Sequence, residues 1–222
     1  MLIEWNGHSE FLLESASGYR VLTDPFDPNT GYPMRRPGAD AVVVSHGHGD
    51  HSYVQKMDGS PVIMDAPGHL ELALNVSADA ILGDHDDEQG KKRGKTLLTR
   101  IQMDGLTIVH LGDLGCPLSK DQIDFLSGAD ILMIPVGGFF TIDGETAART
   151  VRELSPKVVL PMHYKTKWNE SWPISGPEPF YEAMCLPLPD PVPLLRVTAE
   201  DISCLPGTVL FKVPEEGKGS RE

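Results

Sequence analysis

Apolar residues in this chain come in short runs, broken by glycine, proline and charged residues. The runs at residues 2–5, 11–14 and 19–22 read as three opening strands, with a turn at Ser17-Gly18 before the third. The third ends in Thr23-Asp24-Pro25, and residues 29–38 form a Gly/Pro-rich loop. A strand is expected at 40–45, a short helix near 52–57 and a strand at 61–64. Residues 70–82 read as two short strands and 84–95 as a charged loop. Residues 96–103 and 106–110 flank Asp104-Gly105, a strong signal for a two-residue hairpin turn. Helices are expected at 119–126, with Ser119 as N-cap, and at 144–154, capped by Asp143. The apolar runs 130–136 and 157–162 read as buried strands. Residues 172–193 are proline-rich, with helical turns around 178–184. Strand-like runs follow at 194–198 and 208–213, and 214–222 reads as a solvated tail.

Strands dominate both halves, and helices follow strands instead of forming a bundle. The class is α+β. Two sheets packed face to face with helices outside, a four-layer αββα sandwich, satisfy this pattern in one domain over residues 1–213.

Composition narrows the setting. The chain has 222 residues, 40% hydrophobic and 23% charged, as expected of a globular protein. No window approaches the roughly 20 consecutive apolar residues of a membrane span. The first residues lack the basic and apolar regions of a signal peptide, which points to the cytoplasm. The three cysteines, Cys116, Cys185 and Cys204, form no C-x-x-C pair and suit a reducing compartment. A formal charge of −13 argues against a nucleic-acid partner, which needs a basic face. The basic run at 91–95 adjoins acidic residues 84–88 and reads as a solvated loop. Oligomeric state is not encoded legibly.

The densest chemistry lies in Ser45-His46-Gly47-His48-Gly49-Asp50-His51, directly after Ala41-Val42-Val43-Val44. Alternate residues leaving a strand project to one side, so His46, His48 and Asp50 can face one cleft. His51 falls outside that alternation and needs a turn. Gly47 and Gly49 let the backbone bend. Four nitrogen and oxygen donors this close suit one or two transition-metal ions. Three further donors sit at expected strand exits: His85, Asp113 and His163. Asp84 and Asp86, flanking His85, offer the same chemistry in a shifted register.

The order H-x-H-x-D-H resembles the signature of the metallo-β-lactamase fold superfamily. The wider set resembles its sub-group of ascorbate-6-phosphate lactonase and N-acyl-phosphatidylethanolamine phospholipase D types. The matching pieces are Trp5-Asn6-Gly7-His8-Ser9, Thr23-Asp24-Pro25, the histidine loop, His110-Leu111-Gly112-Asp113-Leu114-Gly115, Pro135-Val136-Gly137-Gly138 and Pro161-Met162-His163-Tyr164. The resemblance implies that His46, His48 and His85 hold one metal and Asp50, His51 and His163 a second, with Asp113 bridging. It also implies two divalent ions, zinc first, with manganese or iron accepted by an all-N/O donor set. His8 and His110 are open between touching a ligand or substrate and a buried structural place. Asp24 is expected to hydrogen-bond a ligand histidine or the loop backbone. His69 reads as a surface residue and Cys116 as structural.

Two such ions about 3.5–4 Å apart can share a water and lower its pKa from about 15.7 towards about 7. The expectation is a hydrolase whose dimetal-bound hydroxide attacks an ester, lactone, amide or phosphodiester of a small molecule. Asp50 would orient the water and pass a proton to the leaving group. Tyr164 is either an oxyanion donor or a packing residue behind His163. The segments 27–38, 137–144 and 165–193 are candidates to shape the pocket, with Phe139, Phe140, Trp168 and Trp172 as apolar walls or as packing. A non-hydrolytic metal-binding or di-iron redox protein is the competing class. A nuclease is a third reading, which the acidic charge disfavours.

Overall fold

The computed structural model describes residues 1–35 and 38–216. Residues 36–37 of the Gly/Pro-rich loop and 217–222 of the expected tail lie outside the described residues.

Two six-stranded mixed sheets face each other. The first begins with β1 (Leu2–Gly7), β2 (Glu10–Glu14), β3 (Arg20–Thr23), β4 (Ala41–Val43) and β5 (Val62–Met64). The second contains β6 (Gly68–Ala73), β7 (Val76–Asp84), β8 (Lys95–Met103), β9 (Leu106–His110), β10 (Ile131–Pro135) and β11 (Val158–Met162). A short β12 (Leu195–Arg196) returns to the edge of the first sheet beside β1. The sheet orders are β12-β1-β2-β3-β4-β5 and β11-β10-β9-β8-β7-β6. Each sheet is antiparallel at one end and turns parallel at the other, through β3-β4-β5 and β9-β10-β11. Several strands thus release their carboxyl ends at the same rim, where loops are free to build a site.

The core forms between the sheets. In β4, Ala41 and Val43 point into the main apolar cluster, which runs from Ile3 to Phe211. Val42 faces outward with Leu22 and Val44 into a small separate cluster. This alternation is the period-2 pattern of a strand covered on both faces. β10 and β11 are buried along their whole length, as their unbroken apolar runs predict.

The helices gather at the second sheet. They are α1 (Lys120–Leu126), α2 (Gly144–Leu154) and α3 (Glu178–Ala183). Ser119 and Gln122 close a capping box on α1, and Asp143 caps α2 through the Thr146 N–H. α2 packs on β10 and touches both other helices. The outer layer on the first sheet is thinner. There Val54 and Met57, at either end of a single 3-10 turn (Val54–Lys56), cover the small apolar cluster in place of the expected helix. The αββα sandwich is therefore present with one helical layer reduced. No helix among the described residues is long and apolar enough to cross a membrane.

Asp104 and Gly105 both take positive φ, 53° and 74°, and close the β8–β9 hairpin between Met103 and Leu106. The expected strand at 208–213 does not form a ladder. It makes isolated bridges, Val159 to Thr208 and Val192 to Phe211. The reason lies in β11. Val159 donates to Gly207 O at 3.0 Å and accepts from Val209 N at 2.9 Å, but the next donor in register is Pro161, which has no N–H. Pro214, placed at the head of the expected tail, is buried, and its carbonyl accepts from Trp168 Nε1 at 2.7 Å.

Candidate metal centre

The loop after β4 turns back on itself. The N–H groups of His51 and Ser52 both bond to the His48 carbonyl, at 2.9 and 3.0 Å. That turn brings His51 round to the side already faced by His46 and Asp50. Asp24, at the end of β3, locks it. The Asp24 carboxylate accepts from Ser45 N at 2.7 Å and Ser45 Oγ at 2.6 Å, and meets His51 Nδ1 at 2.8 Å. His51 Nε2 is thereby aimed at the rim between the sheets.

The second sheet supplies the rest. His85 follows β7, Asp113 follows β9 and His163 follows β11. Asp113 Oδ2 lies 3.2 Å from His51 Nε2, 3.4 Å from His85 Nε2 and 3.2 Å from His163 Nε2. One carboxylate oxygen thus faces imidazoles from both sheets. His46 Nε2 and His48 Nδ1 are 2.9 Å apart, and these two with His85 form one donor group. Asp50, His51 and His163 form another, and His8 joins it. His8 Nε2 is 3.1 Å from His51 Nε2 and 3.3 Å from Asp50 Oδ2. The atoms within each group lie within 4.8 Å of one another.

The glycines of His110-Leu111-Gly112-Asp113-Leu114-Gly115 explain this convergence. A Cβ on Gly112, whose φ is +50°, would stand 2.2 Å from Thr96 Oγ1 and 2.6 Å from Ser45 Cβ. A Cβ on Gly115 would stand 2.3 Å from the His85 carbonyl carbon. Only bare backbone lets the Asp113 turn press against both the histidine loop and the His85 turn.

Electrostatics set the protonation states. Burial pulls His46 down to about 3 and, with the nearby His163, His8 down to about 4, so both are neutral at pH 7. Burial opposes ionisation of Asp113, but His163 and His51 outweigh it and hold the carboxyl well below its usual range. Asp50 is likewise held ionised against burial by its hydrogen bond to His8 and the charge of His51. Burial opposes the charged form of His51 too, yet Asp113 and Asp24 on its two nitrogens raise it well above 6.5.

The residues present fit a metal centre. Asp113 Oδ1 is buried with no hydrogen-bond partner among the described residues. Imidazole nitrogens also face one another, His46 against His48 at 2.9 Å and His8 against His51 at 3.1 Å. Buried polar atoms are normally satisfied, and cations placed among these donors would satisfy them.

Neighbouring polar residues divide clearly. Asp86 does not take the place of His85. Its carboxylate accepts four backbone N–H bonds, from Glu88, Gly90, Lys92 and Arg93. Those bonds outweigh burial and pull its pKa down to about 2. His110 is structural: it spans Ser9 O and Gly112 N, each at 3.1 Å. His69 is exposed, beside Asp79 and Glu71. Tyr164 is buried and stacked on Trp5, with ring centres 5.3 Å apart. It is not among the residues lining the cavity at the donors and packs behind His163. Residues adjacent at a strand exit point opposite ways, and His163 takes the cleft side.

That cavity has a volume of about 370 Å³ and is lined by His48, Asp50, His85, Asp113 and His163. Phe140, Trp172 and Pro173 also line it, with Ser171 and Arg93. Trp168 packs elsewhere. Phe139 is 62% exposed and lines a different cavity. None of the described residues of loop 27–38 lines the cavity, and Tyr32 packs beside His8 and Trp5 instead. Sequence reading missed Arg93, hidden in a run that looked like a solvated loop, and left His8 undecided. Its signal is the Trp5-Asn6-Gly7-His8-Ser9 motif, with its turn after the first strand.

The profile of the beta-lactamase superfamily domain matches residues 2–163. A UPF0173 metal-dependent hydrolase of Archaeoglobus fulgidus is 30% identical over 196 residues, covering 75% of this chain and 84% of the relative. Another UPF0173 metal-dependent hydrolase, from Pyrobaculum islandicum, is also 30% identical and covers 75% and 85%. A crystal structure from Thermotoga maritima, assigned to the metallo-β-lactamase superfamily, superposes with a TM-score of 0.76 at 29% identity, covering 95% of this chain and 97% of the other. The chain belongs to the metallo-β-lactamase superfamily and, within it, to the UPF0173 metal-dependent hydrolases.

Proposed function

We propose that this protein hydrolyses an ester, lactone, amide or phosphodiester of a small molecule at a two-ion centre. The observation that carries this reading is Asp113 Oδ2, set between His51, His85 and His163 where the two donor groups meet. His46, His48 and His85 would hold one ion. Asp50, His51 and His163, now joined by His8, would hold the other, with Asp113 shared. An all-N/O set suits zinc and also accepts manganese or iron. When bound, the ions lower the pKa of water and polarise the substrate oxygen.

The chain's own residues do the remaining work. Asp50, ionised and 29% exposed at its side chain, accepts a proton from the attacking water. The water oxygen bonds to the carbonyl carbon or phosphorus, and the bond to the leaving group breaks. Asp50 then returns the proton to the leaving oxygen or nitrogen. Asp24 keeps His51 in one orientation throughout. Phe140 and Trp172 keep bulk water from one wall. The cytoplasm is the compartment assigned, because all three cysteines are unpaired.

The test is metal content together with hydrolysis of bis-p-nitrophenyl phosphate and a lactone panel. Two equivalents of metal and chelator-sensitive turnover are expected. In Asp50→Asn, turnover should fall about 100- to 10,000-fold while the fold persists. Retained turnover in that variant overturns the role of Asp50. Two equivalents of iron without any hydrolysis overturn the hydrolase reading.

A further inference from the structure

We propose that Arg93, Phe140 and Trp172 form a substrate subsite, which selects a molecule with an anionic group on a flat apolar body. The inference rests on the hydrolase reading and names the substrate class for that same site.

Arg93 is the one cation among the described residues lining the cavity. Its surroundings should have neutralised it, because the loop carries Asp84, Asp86, Asp87 and Glu88. None of them pairs with it. Lys95 takes Asp84, Lys92 takes both Asp87 and Glu88, and Asp86 is occupied by four backbone N–H groups. Among the described residues Arg93 has no ion pair. One of the four bonds to Asp86 comes from the Arg93 N–H itself, at 2.8 Å, so the backbone that carries the guanidinium is fixed. The fork of donors is unspent among the described residues. Arginine in that condition suits a carboxylate or a phosphate, which it can bind through two parallel hydrogen bonds.

The aromatic residues connect this cation to the chemistry. The guanidinium carbon is 5.7 Å from the centre of the Phe140 ring. The Phe140 and Trp172 rings are 5.9 Å apart, edge to face, and Trp172 lies 6.3 Å from the His163 ring. The path from Arg93 to the metal donors is therefore a continuous apolar wall. A ligand with its anion at Arg93 lays its body along two rings and presents its labile bond to Asp50 and Asp113. A cavity of about 370 Å³ matches the size of a small-molecule site.

The test uses metal-loaded protein and matched aryl lactones that carry a remote carboxylate, a remote phosphate or a neutral amide. Equilibrium binding of phenylsuccinate, phenylphosphonate and a neutral phenyl amide is measured by calorimetry on the same protein. In Arg93→Gln, kcat/KM and affinity for at least one anionic series should drop about 10- to 100-fold, with the neutral series within about twofold. The carboxylate and phosphate arms say which anion the fork takes. Trp172→Leu should weaken every aryl ligand alike. Thermal midpoint and metal content check that each variant is folded and loaded. Equal losses for charged and neutral ligands in Arg93→Gln, or no loss at all, overturn the subsite. If neither bis-p-nitrophenyl phosphate nor any ester, amide or lactone turns over but phenylsuccinate or phenylphosphonate binding still depends on Arg93, the hydrolase reading fails and the subsite stands.

Discussion

The backbone N–H of His163 donates to the carbonyl of His8 at 3.1 Å, and both residues hold a left-handed backbone with φ of 51°. The bond ties the β1–β2 turn of the first sheet to the exit of β11 in the second. The same His8 carbonyl accepts from Trp5 Nε1 at 3.0 Å. With its backbone held twice, the His8 ring sits 4.2 Å from the His163 ring and carries its Nε2 into the donor group.

This arrangement predicts a direct role for His8 in holding an ion. Asparagine tolerates the left-handed backbone but removes the imidazole. His8→Asn should stay folded and lose about 10- to 100-fold in affinity for one ion, a loss typical of groups next to a metal. Competition against a chelator measures it. Unchanged affinity would return His8 to a structural place.

Gly115→Ala should separate folding from loading. Its new Cβ meets only backbone, at 2.3–2.4 Å from His85 and Asp86, so side-chain rotation gives no relief. A cost of about 1–3 kcal/mol is expected, the usual penalty of overpacking. Chemical denaturation reads that cost. Metal analysis should show the ion at His46, His48 and His85 depleted first.

Removing metal should soften the whole fold. The donors come from both sheets, and only the native chain assembles them. A ligand at a thousandfold excess over its Kd stabilises by about 4 kcal/mol. For a protein of this size that is about 8–16 °C in thermal midpoint. Calorimetry with and without chelator measures it, and restored zinc should restore the midpoint. An unchanged midpoint would deny that the ions bridge the sheets.

One pH dependence lies far from the centre. His69 pairs across the β6–β7 hairpin with Asp79, at 2.8 Å, and touches Glu71 at 3.1 Å. The hydrogen bonds to Asp79 and then Glu71 raise its pKa above 6.5. The folded value exceeds the unfolded one, so the contribution is fully present below about 6.5 and fades as pH rises through the folded value. The difference in thermal midpoint between the parent and His69→Gln should be largest near pH 5.5 and vanish in alkali. An imidazole NMR titration gives the folded value directly.

Much of this architecture is written locally. The unbroken apolar runs of β10 and β11, the Asp104-Gly105 turn and the caps at Ser119 and Asp143 each depend on a few adjacent residues. So does the histidine loop, whose donors lie within six positions. Asp113 and His163 were legible because each ends an apolar run. What escaped depends on partners far along the chain. His8 acquires its place only when His163 bonds to its carbonyl. Arg93 is distinguished by the acids that its lysine neighbours take from it. The strand expected at 208–213 fails because Pro161, on a different segment, lacks an N–H. Tyr164 shares a motif with His163 but turns to Trp5.

The division of donors between the sheets bears on how finished protein is recognised. His8, His46, His48, Asp50 and His51 come from turns and loops of the first sheet, and His85, Asp113 and His163 from the second. A nascent or misregistered chain offers an incomplete nest, in which Asp113 has no imidazole from the first sheet to face. Ion uptake thus acts as a census of completed molecules. In a cell extract, metal that travels with this protein counts assembly rather than synthesis.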